Sequence, residues 1–186
     1  MLQPGVVVVG GHRRQAGRIE LDHGRLDVLD NNAAIIADAD AGVSDVTPGL
    51  LRRSYETNVI GLVSVTNALL PLMRKAGAAR IVNLSGGLGS LTRVGDPGSR
   101  ISTVRMLDYN SSKTVVNMVT VVLANELRGT GVLVNAADPG RRATQMGDLD
   151  ADRTPAQGAA VAVRLATLGP DGATGELHDE AGRLPW

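Results

Sequence analysis

Short apolar runs rich in β-branched residues alternate with longer stretches of helical periodicity along this chain. The runs lie at residues 6–9, 26–29, 80–84 and 132–136. This alternation is typical of a parallel β-sheet whose strands are connected by helices. Small or polar residues follow the runs, and the carboxyl ends of parallel strands form a ligand crevice. We therefore predict an α/β fold with a doubly wound parallel sheet, as a single domain over residues 1–186.

The segments between the runs carry helix start and stop signals. Thr47 and Pro48 form a cap and first-turn pair, so residues 47–73 are predicted to form one long or bent helix that kinks or ends at Pro71. A second helix is predicted from Tyr109 to residue 128, where Gly129 stops it. A third is predicted over 154–168, and a short terminal strand near residues 175–178. Residues 91–108 are predicted to form a polar loop.

The composition excludes several classes of protein. Basic and acidic residues balance at 19 each, so no global charge favours nucleic acid. The chain has no cysteine, which excludes disulfides and thiolate sites, and its three scattered histidines lack metal-ligand spacing. It shows no signal-peptide pattern and no uninterrupted apolar run of about 18–20 residues. We expect a cytoplasmic protein that binds neither membrane, nucleic acid nor metal.

Tyr109 and Lys113 are the residue pair with the clearest chemical meaning. Four positions apart on a predicted helix, they share one face. The ordinary pKa of tyrosine is about 10, too high for a base at neutral pH. A neighbouring ammonium stabilises the phenolate and makes the pair a usable acid/base. The alternative is a surface pair at helical spacing, but the chain holds only two tyrosines and two lysines.

Other motifs give this pair a context. They are Asn31-Asn32-Ala33-Ala34, the segment 55–61, the segment 81–89, Asp138-Pro139-Gly140 and the ending at 174–186. In this order, and together with residues 109–113, they closely resemble the short-chain dehydrogenase/reductase (SDR) family. The resemblance covers residues 24–186 and implies a Rossmann-like sheet.

The resemblance implies a role for each matching residue. Tyr109 is expected as the catalytic acid/base, Lys113 as its partner and Asn58 as the holder of a proton-relay water. The turn at Asn32, Ala33 and Ala34 is expected beside the cofactor. Three residues are expected at the segment that closes on the nicotinamide: Pro139, Gly140 and Thr144.

The family also implies ligands and assembly. It implies NAD or NADP as cofactor, a small carbonyl or alcohol substrate, and a homodimer or homotetramer. The loop between Ser85 and Tyr109 is expected to line the substrate pocket. Its arginines, Arg93, Arg100 and Arg105, carry no clear substrate signature.

The position of the family's active serine is occupied by glycine in this chain. That serine normally follows the Val-Asn-Leu-Ser motif, which places Gly86 at its position. Ser85 is the neighbouring candidate, but one residue along a strand its side chain is expected on the opposite face. Ser85 is therefore either catalytic, if the backbone turns there, or a structural serine at the strand end.

The N-terminal segment also departs from the family pattern. Residues 1–25 form a shortened or atypical segment without a Gly-x-x-x-Gly-x-Gly loop, so part of the N-terminal βαβ dinucleotide-binding half is expected to be missing. Residues 6–14 resemble the family's second strand and its arginine-containing turn. Arg13 or Arg14 then slightly favours NADP. Residues 6–9 are predicted to pair with the strand at 26–29.

Asp30 is a third departure, because the family usually has an apolar residue there. A carboxylate buried at this strand end is costly unless it is paired or solvated. Two hypotheses about function remain. The first is an NAD(P)-dependent oxidoreductase. The second is a catalytically impaired or non-catalytic relative that acts as an oligomerising or binding protein.

Overall fold

The computed structural model describes residues 7–9, 13–37, 42–141 and 154–186. Within these ranges the strands are β1 (Val7–Val9), β2 (Val28–Asn31), β3 (Arg80–Leu84), β4 (Leu133–Ala137), β5 (Leu177–Asp179) and β6 (Gly182–Leu184). The α-helices are α1 (Arg13–His23), α2 (Pro48–Tyr55), α3 (Leu62–Ala76), α4 (Leu91–Gly95), α5 (Leu107–Glu126) and α6 (Pro155–Ala166). A π-helical segment (Glu56–Gly61) joins α2 to α3, and a 3-10 turn (Gly87–Gly89) follows β3.

The strands form one sheet in the order β1-β2-β3-β4-β5-β6. Strands β1 to β5 are parallel, and β6 closes the edge as an antiparallel hairpin with β5. The predicted pairing of the first apolar run is confirmed, since Val7 lies opposite Val28. Strand β2 begins two residues later than predicted and therefore contains Asp30 and Asn31.

Helices cover both faces of the sheet, as the doubly wound prediction requires. Adjacent strand residues point to opposite faces. Ile81 belongs to a core cluster with Leu29, Val134 and residues of α3 and α5, against which Ala16 and Ile19 of α1 also pack. Its neighbour Val82 packs in a second cluster with residues of α6. The predicted α/β fold with a parallel sheet is confirmed.

The helical region after Thr47 is longer than predicted. The Thr47 hydroxyl accepts a hydrogen bond from the Leu50 N–H, which confirms the predicted cap. The prediction that the helix could end at Pro71 is wrong, because α3 continues to Ala76 and ends before Gly77, whose φ is +69°. Pro71 is exposed, whereas Leu69, Leu70, Leu72 and Met73 are buried in the core. Their packing outweighs the roughly 3 kcal/mol cost of an interior proline.

Residues 48–76 are long and apolar enough to cross a membrane by length and composition alone. Core helices also pass this test, and α3 supplies Leu69, Leu70, Leu72 and Met73 to the cluster between helices and sheet. Core packing therefore explains part of the apolar composition of this stretch, of which 39% of the most apolar window is buried.

The remaining helices follow the predictions closely. Helix α5 begins two residues before Tyr109, and α6 begins after Thr154, which forms a capping box with Gln157. The predicted terminal strand is β5. The polar loop prediction missed α4, a five-residue helix whose first turn is capped by the Ser90 hydroxyl, which accepts from the Arg93 N–H.

Candidate functional site

The Tyr109 and Lys113 side chains lie together at the start of α5. The Lys113 ammonium is 5.5 Å from the centroid of the Tyr109 ring. Lys113 is only 2% exposed, and its Nζ donates a hydrogen bond to the Leu84 carbonyl at 2.7 Å. Leu84 is the last residue of β3. The pair therefore sits at the carboxyl end of a central strand, where the ligand crevice of a parallel sheet is expected.

Asn58 links three elements around this helix. Its Oδ1 accepts from the Ile35 N–H at 2.8 Å, and its Nδ2 donates to the Ile35 carbonyl at 2.9 Å and to Ser112 Oγ at 3.0 Å. Ser112 in turn donates to the Tyr109 carbonyl at 2.7 Å. Asn58 is buried within the π-helical segment, and such segments are frequent at functional sites. The amide thus holds the loop after β2 against the turn of α5 that carries Tyr109.

Ser112 and Asp108 are site residues that the sequence reasoning missed. Asp108, directly before Tyr109, is 1% exposed and accepts a hydrogen bond from Ser54 Oγ at 2.5 Å. Its Oδ1 is buried without a hydrogen-bond partner. An acidic residue in the first turn of a helix was the available signal, because it complements the helix dipole. The contact ties α2 to the start of α5.

The turn after β2 lies at the same edge of the sheet. Asn32 and Ala33 are exposed there and Ala34 is half-buried. Asn31 is instead buried, and its Nδ2 donates to Asn83 Oδ1 at 2.9 Å and to Thr66 Oγ1 at 3.0 Å. The two asparagines of this motif therefore differ in environment: Asn31 is buried in the sheet and Asn32 is exposed just after the strand.

The Ser85 hydroxyl points to the body of α5. Ser85 is 3% exposed, its Oγ donates to Asn117 Oδ1 at 2.5 Å, and it lies 3.3 Å from the Lys113 carbonyl. Asn117 Nδ2 also donates to the Gly89 carbonyl at 3.0 Å. This arrangement favours the structural alternative for Ser85, because its single proton already serves a buried contact.

Gly86 occupies a position with room for a side chain. Its φ is 169°, an extended conformation that any residue adopts. A Cβ placed there would lie 3.8 Å from Asp138 Oδ1, which is ordinary van der Waals contact. At Gly87 a Cβ would lie 2.7 Å from Arg93 Nη1, so the end of the Arg93 side chain would have to move to admit one. Gly86 is not required by packing.

Asp138, Pro139 and Gly140 lie at the carboxyl end of β4. Asp138 Oδ1 accepts from the Gly140 N–H at 2.8 Å, and Oδ2 is 3.6 Å from Arg93 Nη1. Asp138 and Pro139 are buried and Gly140 is half-buried. Thr144, predicted to contact the cofactor, lies outside the described residues. The ends of β2, β3 and β4 thus bring the other predicted cofactor residues to one edge.

The carboxyl group of Asp30 is partly buried, and its burial costs free energy, as the sequence indicated. Burial raises the pKa of its carboxyl group from the ordinary 3.8 to about 6. Asp30 Oδ1 is buried without a hydrogen-bond partner. In register it lies between Val9 and Val82, on the sheet face that α6 covers. The carboxyl group at this strand end therefore binds its proton more tightly than an ordinary aspartate does.

Across the residues that the structure describes, no group of three or more His, Asp or Glu side chains could hold a metal ion. His23 is exposed at the end of α1, and His178 Nε2 lies 2.8 Å from Glu176 Oε2. His12 lies outside the described residues. His178 is half-buried in β5 rather than exposed in a loop.

Comparison with known proteins identifies the family. The family model described as short chain dehydrogenase matches residues 11–154. The short-chain dehydrogenase anuI of Penicillium roqueforti is 36% identical over 175 residues, covering 89% of this chain and 67% of the relative. Other curated relatives are matched over as little as 38% of their length.

Solved structures agree with the family model. The carbonyl reductase Sniffer of D. melanogaster superposes with a TM-score of 0.81 at 26% identity, over 94% of this chain and 73% of that one. An NADPH-bound carbonyl reductase from chicken fatty liver gives a TM-score of 0.79 at 26% identity, over 94% and 72% of the two chains. With its parallel sheet, its Tyr109/Lys113 helix and these matches, the chain belongs to the short-chain dehydrogenase family.

Proposed function

We propose that this protein is an NAD(P)-dependent oxidoreductase that interconverts a carbonyl compound and a secondary alcohol, with Tyr109 as the acid/base. The observation that carries the proposal is the buried Lys113 ammonium, 5.5 Å from the Tyr109 ring at the end of β3. A positive charge at this position stabilises the phenolate relative to the phenol. Tyr109 can therefore give up and recover a proton near neutral pH.

Three residues of the chain have distinct roles in the proton transfer. Tyr109 donates its proton to the carbonyl oxygen during reduction and accepts it back during oxidation. Lys113 holds the charge that favours this exchange. Asn58 holds the turn of α5 that presents Tyr109, through Ser112. We propose that it also positions the water that returns the proton from solvent.

The described residues fit a nicotinamide nucleotide at the edge formed by β2, β3 and β4. Gly86 leaves that edge open beside Asp138, since only ordinary contacts would meet a Cβ there. Asn32, Ala33, Ala34, Pro139 and Gly140 would hold the nucleotide together with Lys113, whose ammonium can donate to ribose hydroxyls. Such a cofactor supplies the hydride. NADP is slightly favoured, because a carbonyl reductase of the same fold has NADPH bound.

Titration of the purified protein with NADPH and NADH tests the proposal directly. We expect one of them to bind with a dissociation constant below about 1 mM, which corresponds to roughly 4 kcal/mol of binding free energy. Tyr109→Phe is expected to keep this binding and to lose turnover of carbonyl substrates. If neither nucleotide binds below that concentration to the folded protein, the oxidoreductase proposal fails.

A second candidate is a catalytically impaired relative that acts by binding or oligomerisation. Gly86 favours it, because glycine offers no hydroxyl to the substrate oxygen, and Ser85 is engaged with Asn117. Cofactor binding without turnover in the wild type, with turnover restored by Gly86→Ser, would favour this candidate over the first. The cytoplasmic location remains a prediction from the sequence.

We propose that the protein assembles as a homodimer or homotetramer through α5. Met118 and Val122, one helical turn apart on this helix, are 62% and 54% exposed. A pair of exposed apolar side chains in one turn of a helix is where we place the contact, since contiguous exposed apolar surface marks protein–protein interaction sites. The predicted small-molecule substrate and the assembly are compatible, because Lys113 faces the sheet rather than this outer surface.

A further inference from the structure

A cavity of about 400 Å³ opens next to α4. Its walls come from α4 and the turn that follows, including Arg93, Asp96 and Arg100, with Pro185 contributed by the C-terminal segment. Cavities of this size are typical of sites for small organic molecules. The structure therefore assigns part of the loop between Ser85 and Tyr109 to a defined cavity.

The structure distinguishes the three arginines of the loop between Ser85 and Tyr109. Arg93, which is half-buried, and Arg100 line the cavity, whereas Arg105 does not, although Arg100 and Arg105 are both exposed. In the sequence the three could not be distinguished, because each lies in the same polar segment. The short helix α4, which the sequence did not predict, carries Arg93, and Arg100 lies in the turn that follows it.

The two guanidinium groups retain unused hydrogen-bond donors. Arg93 forms an ion pair with Asp138 at 3.6 Å, a distance beyond a hydrogen bond. Arg100 is exposed, and among the described residues its guanidinium group forms no ion pair. The opposing charge in the lining is Asp96, whose Oδ1 accepts from the Gly98 N–H at 2.9 Å. Two cations and one anion thus face the cavity.

The cavity meets the candidate site at Arg93. A Cβ on Gly87 would lie 2.7 Å from Arg93 Nη1 and 3.0 Å from Asp138 Oδ2. Gly86, the position expected to face the reacting group, precedes Gly87 directly. Arg93 therefore lies at the boundary between the strand-end crevice and the cavity. A molecule that occupies both would place one end near β3 and its other end between the two arginines.

We propose that this cavity binds the carboxylate of an oxo-acid substrate through Arg93 and Arg100, while the carbonyl group of the same molecule faces Tyr109. Guanidinium groups bind carboxylates through paired, charge-assisted hydrogen bonds, which suits two arginines with unused donors. The proposal deepens the oxidoreductase function and rests on it. Only the C=O group reacts: a hydride from the nicotinamide nucleotide adds to carbon, the Tyr109 proton adds to oxygen, and the carboxylate is unchanged.

Binding of 4-oxopentanoate and its neutral methyl ester, measured by calorimetry without cofactor, tests the carboxylate site. We expect the acid to bind at least about tenfold more tightly than the ester, a difference typical of one charge-assisted contact. Arg100→Ala is expected to abolish this preference. Arg105→Ala, the matched control from the same loop, is expected to keep it. Arg93→Lys keeps the ion pair with Asp138 and is expected to lose part of the preference.

Several results would overturn the proposal: equal binding of acid and ester, an equal effect of Arg105→Ala and Arg100→Ala, or tighter binding of inorganic phosphate than of the acid. Because no cofactor is present, this readout is independent of the oxidoreductase proposal. Failure of NADPH and NADH to bind would refute that proposal while leaving the acid preference measurable. If both hold, Arg100→Ala is expected to raise KM for the acid about tenfold with little change in kcat.

Discussion

The Lys113 ammonium lies 5.5 Å from the centroid of the Tyr109 ring while it donates to the carbonyl of Leu84, the last residue of β3. One buried cation thus contacts both the candidate acid/base and the strand end against which a ligand would bind. Burial of a lysine costs free energy unless its donors are used. The Leu84 carbonyl uses one of them and fixes the ammonium beside Tyr109.

Tyr109→Phe is the first test of this arrangement. Loss of the phenol proton is expected to lower kcat by about 10²–10⁴-fold, the range for a general acid/base, with little change in stability or nucleotide binding. Steady-state kinetics and thermal unfolding check both parts. Tyr55→Phe is the matched control, because Tyr55 is the chain's other tyrosine, and it should leave kcat unchanged. Equal losses in the two variants would contradict the assignment.

Gly86→Ser tests the position at which the family has its serine. The added Cβ meets Asp138 Oδ1 at 3.8 Å, so we expect the variant to fold normally. A hydroxyl there can donate to the substrate oxygen, and we expect kcat to rise about 10- to 100-fold. Gly87→Ser is the control, because its Cβ would displace the end of the Arg93 side chain, 2.7 Å away, and its hydroxyl lies at the wrong position to raise kcat. An unchanged kcat in a folded Gly86→Ser protein would refute this register.

Ser85→Ala distinguishes a structural serine from a catalytic one. The substitution removes the donor to Asn117 Oδ1 and leaves that buried oxygen unsatisfied. We expect a loss of about 1–3 kcal/mol in the free energy of unfolding, measured by denaturant titration. If Ser85 is structural, the kcat of the folded variant stays near that of the wild type. A large fall in kcat with unchanged stability would instead make Ser85 catalytic.

Asp30 makes stability depend on pH. Since burial raises its pKa to about 6 from 3.8, the folded protein binds the proton more tightly than the unfolded chain. Its contribution to the free energy of unfolding therefore falls as pH rises from about 4 to about 6, and stays low above that. Because Asp30 is partly exposed, solvent screening limits the effect to at most about 2 kcal/mol.

Asp30→Val removes this dependence and places an apolar side chain beside Val82 on the sheet face that α6 covers. We expect the variant to be more stable than the wild type at pH 7 and to show a smaller difference at pH 4. Urea titrations at the two pH values measure this. Asp171→Asn, at an exposed turn, is the control and should follow the wild type. If the variant is less stable than the wild type at pH 7, the ionised carboxylate stabilises the folded protein and the prediction is wrong.

Met118→Glu tests the proposed assembly through α5. A charge on this exposed apolar position should disrupt a helix–helix contact, so we expect the mass in solution, measured by light scattering, to fall toward that of one chain. Leu21→Glu on α1, at a position 88% exposed, serves as control and should leave the mass unchanged. A single-chain mass for the wild type itself would remove the assembly proposal.

Much of the fold follows from local patterns in the sequence. Apolar β-branched runs predicted the strands, and Thr47 and Thr154 marked helix starts, because strand burial and helix capping depend on neighbouring residues. The prediction that the helix could end at Pro71 is wrong for the opposite reason. Local propensity ends the helix there, but the burial of Leu72 and Met73 beyond it is a tertiary interaction that outweighs the proline.

The residues of the candidate site also fall into two groups, those that the sequence predicted and those that only the tertiary structure showed. Tyr109, Lys113 and Asn58 could be named from spacing and motif order, since each belongs to a short segment with its own pattern. The direction of the Ser85 hydroxyl, the room beside Gly86 and the contact between Ser54 and Asp108 could not, because each depends on residues more than 25 positions apart. The separation of Arg93 and Arg100 from Arg105 is of this second kind. Residue types and their order determined the family and the chemistry available to this protein, whereas the packing of α4 and α5 against the strand ends decided which side chains face the same space.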